Sequence, residues 1–85
     1  MPVQSAIVGS AAGLHARPAA VIAEKAEELG VEIFLAIPGD EPVDADSALM
    51  IMTLGAAKGD TVEVSGEDAA AVAAIAALVE QDLDA

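Results

Sequence analysis

Across a single glycine, residues 16–37 change the spacing of their apolar side chains from three-to-four to two. In ARPAAVIAEKAEEL, Pro18, Val21, Ile22, Ala26 and Leu29 recur at helical intervals, with Glu24, Lys25, Glu27 and Glu28 between them. That is the pattern of a helix with one buried stripe. Gly30 stands where a helix ends in a left-handed residue, and VEIFLAI then puts Val31, Ile33, Leu35 and Ile37 on one side of a strand. A chain that passes from helix to strand so quickly has to stack the two, because each alone leaves an apolar face in water.

The remaining segments complete a layer of each kind. VQSAIV (3–8) mixes apolar and polar residues at a period near two and predicts a first strand, and GSAAG predicts a turn. PGDEP predicts another turn, with a short strand around Val43 after it. SALMIMTLG (47–55) opens on a capping residue and ends in glycine, so it predicts a helix of about two turns. TVEVS (61–65) follows as a strand with Val62 and Val64 inward. In SGED, Ser65 and Asp68 stand near capping-box spacing, and a last helix is expected to run to about Leu83 with Val72, Ile75, Val79 and Leu83 in one stripe. The order β-α-β-β-α-β-α predicts an α/β (α+β) open-faced sandwich, a four-stranded sheet covered on one face by helices. At 85 residues, 1–85 is expected to form one domain around one core.

Composition limits what that core and surface can be. Much of the 55% hydrophobic content is alanine, and Phe34 is the sole aromatic residue, so the core has to be built from Val, Ile, Leu and Met. With no cysteine and one histidine, neither a disulfide, a thiolate metal site nor a transition-metal cluster is expected. DADS (44–47) has the start of a calcium loop, but the required glycine and later glutamate are misplaced. A formal charge of −12 argues against nucleic acid and against anionic membrane surfaces. MPVQSAIVGS lacks the basic and long apolar regions of a secretory signal. The longest apolar stretches fall short of the roughly 18 to 20 residues that a membrane span needs. A cytoplasmic monomer is expected.

Against this acidic background, GLHARPAA (13–20) holds the one histidine and one of only three basic side chains. Two readings of it are open from the residues alone. In one, His15 caps the helix and Arg17 is merely solvated. In the other, the stretch is an anion site. A cation in the first turn opposes the helix macrodipole and costs a few tenths of a kcal/mol, which makes sense where an anion visits. The free amides of Ala16 and Arg17 and the planar guanidinium suit phosphate oxygens. Gly13 permits an unusual backbone angle that holds the loop back, and Pro18 sits in the first turn where its missing N–H costs nothing. So open a site holds free phosphate poorly, whereas covalent attachment to an imidazole, a competent nucleophile near neutral pH, retains it.

GLHARPAA near the start of such a chain, with SALMIMTLGAAKGDTVEVSGED downstream, closely resembles the HPr family of phosphocarriers in the sugar phosphotransferase system. The resemblance covers essentially the whole sequence. It implies that His15 accepts a phosphoryl group on Nδ1 from enzyme I and passes it to sugar-specific IIA domains, as a stoichiometric carrier without a cofactor and not as an independent enzyme. It also implies that Arg17 neutralises the phosphate, that the amides of Ala16 and Arg17 receive its oxygens, and that Gly13 and Pro18 shape the loop. Ala12 lies where some relatives have a polar side chain near the imidazole, so backbone groups are left to orient it. An alternative is a regulatory protein-binding module of the same fold, or a carrier for a non-sugar branch. Retention of both His15 and Arg17 argues against a purely regulatory role.

Leu49, Met50, Ile51 and Met52 cannot all point inward at helical spacing. By the same resemblance, Leu49 and Met52 are expected to dock partners, and methionine suits a surface that accepts several of them. Ser47 is expected to cap this short helix. It also aligns with a serine phosphorylated in some HPr proteins, but a phosphate there would lie beside Asp44 and Asp46, so capping is the favoured role.

Overall fold

A computed structural model describes residues 1–83. Its elements are β1 (Val3–Ile7), α1 (Ala16–Leu29), β2 (Ile33–Ala36), β3 (Val43–Asp44), α2 (Ala48–Thr53), β4 (Thr61–Gly66) and α3 (Ala69–Glu80). The four strands form one sheet in the order β1-β4-β2-β3, and every neighbouring pair is antiparallel. α3 packs on β1 and β4, and α1 packs on α3 and α2. This is the open-faced sandwich expected from the sequence.

Register decides which residues face the helices. Ala6 pairs with Val62, and Leu35 lies opposite both Val64 and Val43. Ala6, Val62, Val64 and Leu35 are buried and meet Ile22, Ile51, Ile75 and Val79 from the helices. The core is aliphatic, as the composition demands. Phe34 shares a row with Ser65 and Asp44 on the other face, where it is only half-buried.

Several boundaries differ from the sequence reading, most of them because a distant segment competes for backbone groups. β2 begins at Ile33, and Val31 is exposed, since β4 ends at Gly66 opposite Ile33. Continuing β2 back to Val31 would require Asp68 as a partner, and Asp68 already starts α3. At the other end, the Ile37 carbonyl accepts Asp40 N–H at 2.9 Å and so begins a turn. Ser65 does not cap α3. It is paired within β4, and the Asp68 carboxylate alone accepts the N–H groups of Ala70 and Ala71, at 3.0 and 3.1 Å.

α3 stops at Glu80, short of Leu83. The N–H of Leu83, which a longer helix would give to the Val79 carbonyl, goes instead to Ser10 Oγ at 3.0 Å. The Val79 carbonyl accepts from Gly9 N–H at 3.0 Å, and Ser10 Oγ donates to the Gln81 carbonyl at 3.2 Å. The loop after β1 therefore caps the end of α3, and Ser10 is completely buried while doing so. Ser10→Ala removes both hydrogen bonds of a buried hydroxyl, to the part-buried Gln81 carbonyl and Leu83 N–H, so a loss of about 1–3 kcal/mol is expected in urea unfolding. Unchanged stability would show that water serves both groups.

Candidate functional site

The histidine loop is held from both sides. Gly13 adopts φ 78°, and its N–H donates to the Ser10 carbonyl at 2.9 Å. A side chain at Gly13 would run into the Ala56 carbonyl, which already accepts Leu14 N–H at 2.9 Å. Leu14 is buried on one side of His15, and Pro18 is fully buried on the other. Between these anchors His15, Ala16 and Arg17 are all exposed.

His15 occupies the N-cap of α1 with φ −82° and ψ −166°, and its carbonyl accepts Ala19 N–H at 2.8 Å. Its imidazole makes no capping hydrogen bond. The reading in which the side chain serves as a cap therefore has no support in the geometry. The amides of Ala16 and Arg17, at the first two helical positions, precede any intrahelical acceptor. Pro18 at the third position has no N–H to leave unpaired. Arg17 has no ion-pair partner among the described residues, where the one salt bridge joins Lys25 to Glu28 at 3.5 Å. The cleft lined by Glu27, Glu32, Asp44 and Asp46 lies at the opposite end of α1 and has the wrong sign for a phosphate.

α2 stands beside α1 and begins at Ser47, whose Oγ accepts Met50 N–H at 3.3 Å. Ser47 is thus the cap of α2. Ile51 is fully buried, while Leu49 is 70% exposed and Met50 and Met52 are 42% and 37% exposed. The exposed set contains Leu49 and Met52, and also Met50, which the sequence reading left out. The signal was there: a six-residue helix lying on another element buries one large side chain of its four, and Met50 neighbours the buried Ile51.

Among the described residues, no group of three His, Asp, Glu or Cys side chains could hold a metal ion. No helix among the described residues is long and apolar enough to cross a membrane. The family model for the PTS HPr component phosphorylation site matches residues 3–81. The chain belongs to the HPr family of phosphocarriers. It is 38% identical over 68 residues to the phosphocarrier protein HPr of Streptomyces coelicolor, spanning 80% of this chain and 73% of that one. The Mycoplasma genitalium HPr is 30% identical over 80 residues, 91% of each chain. In three dimensions the fold is similar to HPr from Thermoanaerobacter tengcongensis, with a TM-score of 0.86 at 30% identity over 100% of this chain and 98% of the other. Bacillus anthracis HPr gives a TM-score of 0.77 at 34% identity, covering 92% and 95%.

Proposed function

We propose that the protein carries phosphoryl groups in a phosphoenolpyruvate-dependent sugar phosphotransferase chain, receiving them on His15 from enzyme I and giving them to IIA domains. The observation that supports this most directly is the exposed, uncapped imidazole at the start of α1, next to two amides at the positive end of the helix. In the forward step the lone pair of His15 Nδ1 forms the new bond to phosphorus as the donor's bond breaks, and that electron pair stays with the donor. The step onto a IIA histidine repeats this with His15 as the leaving group.

Each neighbouring residue has a part that follows from its position. The N–H groups of Ala16 and Arg17 receive phosphate oxygens, and the Arg17 guanidinium offsets their charge. Together they contribute about 1–3 kcal/mol, enough to orient the group without trapping it. Gly13 and Pro18 hold the loop, and Leu49 and Met52, with Met50, form the docking face. Ser47 serves as a cap, since phosphate on its Oγ would stand beside the carboxylates of Asp44 and Asp46.

Incubation with phosphoenolpyruvate and enzyme I from the source organism should add one phosphoryl group by mass, lost in acid and stable in alkali. No gain at all would overturn the carrier reading. Arg17→Ala should retain the fold, because the side chain is exposed and makes no ion pair among the described residues, and should slow transfer on the order of tenfold. Equal rates for the two proteins would remove Arg17 from the mechanism.

A further inference from the structure

The methionines of this chain all lie on its surface. With no cysteine, tryptophan or tyrosine, the three methionines are the side chains that a mild peroxide attacks first. Methionine ordinarily fills irregular gaps in a core, yet Met1 is 68% exposed, Met50 42% and Met52 37%. The buried cluster is built from Val, Ile, Leu and Ala, which peroxide leaves alone. Met1 precedes β1, at the end of the sheet where the Pro2 carbonyl accepts Gly66 N–H at 3.2 Å. Met50 and Met52 share α2, on either side of the fully buried Ile51. The backbone of α2 depends on neither thioether. Ser47 Oγ accepts Met50 N–H at 3.3 Å, and the Met50 carbonyl accepts from Thr53 Oγ1 at 2.6 Å. The Met52 carbonyl accepts Gly55 N–H at 3.3 Å.

We propose that Met50 and Met52 form a reversible oxidation site, whose conversion to sulfoxides by hydrogen peroxide blocks protein contact at α2 while sparing the fold. The inference rests on the carrier reading, in which α2 meets protein partners, and adds how that contact is switched off. A lone pair of the thioether sulfur attacks one peroxide oxygen and forms the S–O bond. The O–O bond breaks, its electron pair leaves with the other oxygen, and the proton of the transferred oxygen follows to give water. Sulfur is oxidised by two electrons and the peroxide is reduced by two. A dithiol reductase reverses the change: its two thiols become a disulfide and the sulfoxide oxygen departs as water. Because both side chains are exposed beforehand, the folded state gives up no core packing when they become polar. A docked partner, by contrast, strips the sulfoxide oxygen of water without replacing its hydrogen bonds. His15 and the amides of Ala16 and Arg17 contain no sulfur, so the acceptor itself stays competent.

The full chain is treated with hydrogen peroxide, and peptide mass mapping locates each added oxygen. The second-order rate of transfer from phosphorylated enzyme I of the source organism is measured before and after treatment. The native protein is compared with the double variant Met50→Leu/Met52→Leu, which keeps Met1. Reading the ratio of treated to untreated rates within each protein cancels whatever leucine does to the basal rate. Oxidation should slow the native protein about tenfold and leave the double variant's rate where it was. Phosphoramidate, a small donor with no docking surface, should modify His15 equally before and after treatment. The oxidised protein should melt as the native one does, and methionine sulfoxide reductase with dithiothreitol should restore transfer. Unchanged transfer with both sulfoxides formed overturns the inference, as does failure of Met50 and Met52 to oxidise. So does an equal loss in the double variant or with phosphoramidate, a large fall in melting temperature, or a loss that the reductase does not reverse. Absence of any transfer from enzyme I to the untreated protein overturns the carrier reading itself, and this inference with it.

Discussion

His15→Ala is expected to abolish phosphoryl uptake from enzyme I entirely while leaving the fold untouched. Both halves of that result follow from geometry. The side chain is exposed and makes no capping hydrogen bond, so its loss removes no interaction that the folded state uses. A stability change within about 0.5 kcal/mol is expected, as for other surface substitutions. The chain offers no second imidazole and no thiol to take over. A protein that melts normally and gains no mass under phosphorylating conditions meets the expectation. Residual acid-labile phosphate on the variant would place the acceptor elsewhere, and a large drop in melting temperature would show a structural role for the ring.

Gly13→Ala should be the most damaging small change to the site. Two costs combine at this position. A left-handed backbone at φ 78° costs any residue with a Cβ about 1–2 kcal/mol. In addition, the new methyl group runs into the Ala56 carbonyl, the acceptor for Leu14 N–H, so relief of the clash moves the backbone that precedes His15. Together they should cost about 2–4 kcal/mol, a fall of roughly 10–25 °C in melting temperature for a domain of this size. Gly30→Ala separates the two terms. Gly30 has φ 72° but nothing within 4 Å of the added Cβ, so it carries the backbone cost alone. Equal melting temperatures for the two variants would mean that the close approach at Ala56 is easily relieved. Transfer should also slow in Gly13→Ala and stay near normal in Gly30→Ala, because only the first displaces the loop.

What could be read from sequence was whatever is decided within a few residues. The bounds of α1 follow from its own periodicity, from Pro18 in the first turn and from Gly30 at the end. GLHARPAA could be marked as a candidate anion site from its residue types, with its phosphocarrier reading implied by the family resemblance, and the inward placement of Val62 and Val64 follows from simple alternation. The apolar excess of 49–52 showed that part of α2 must face outward.

Only the tertiary structure decided the rest, because those features depend on hydrogen bonds between segments far apart in the chain. The end of α3 and the burial of Ser10 are settled by bonds spanning 71 and 73 residues, and no local pattern encodes them. β2 loses Val31 to the length of β4, and the cap of α3 falls to Asp68 because Ser65 is held in the sheet. Short-range preferences therefore specify the elements and mark the candidate acceptor, while long-range pairing sets where each element stops and what surrounds the imidazole.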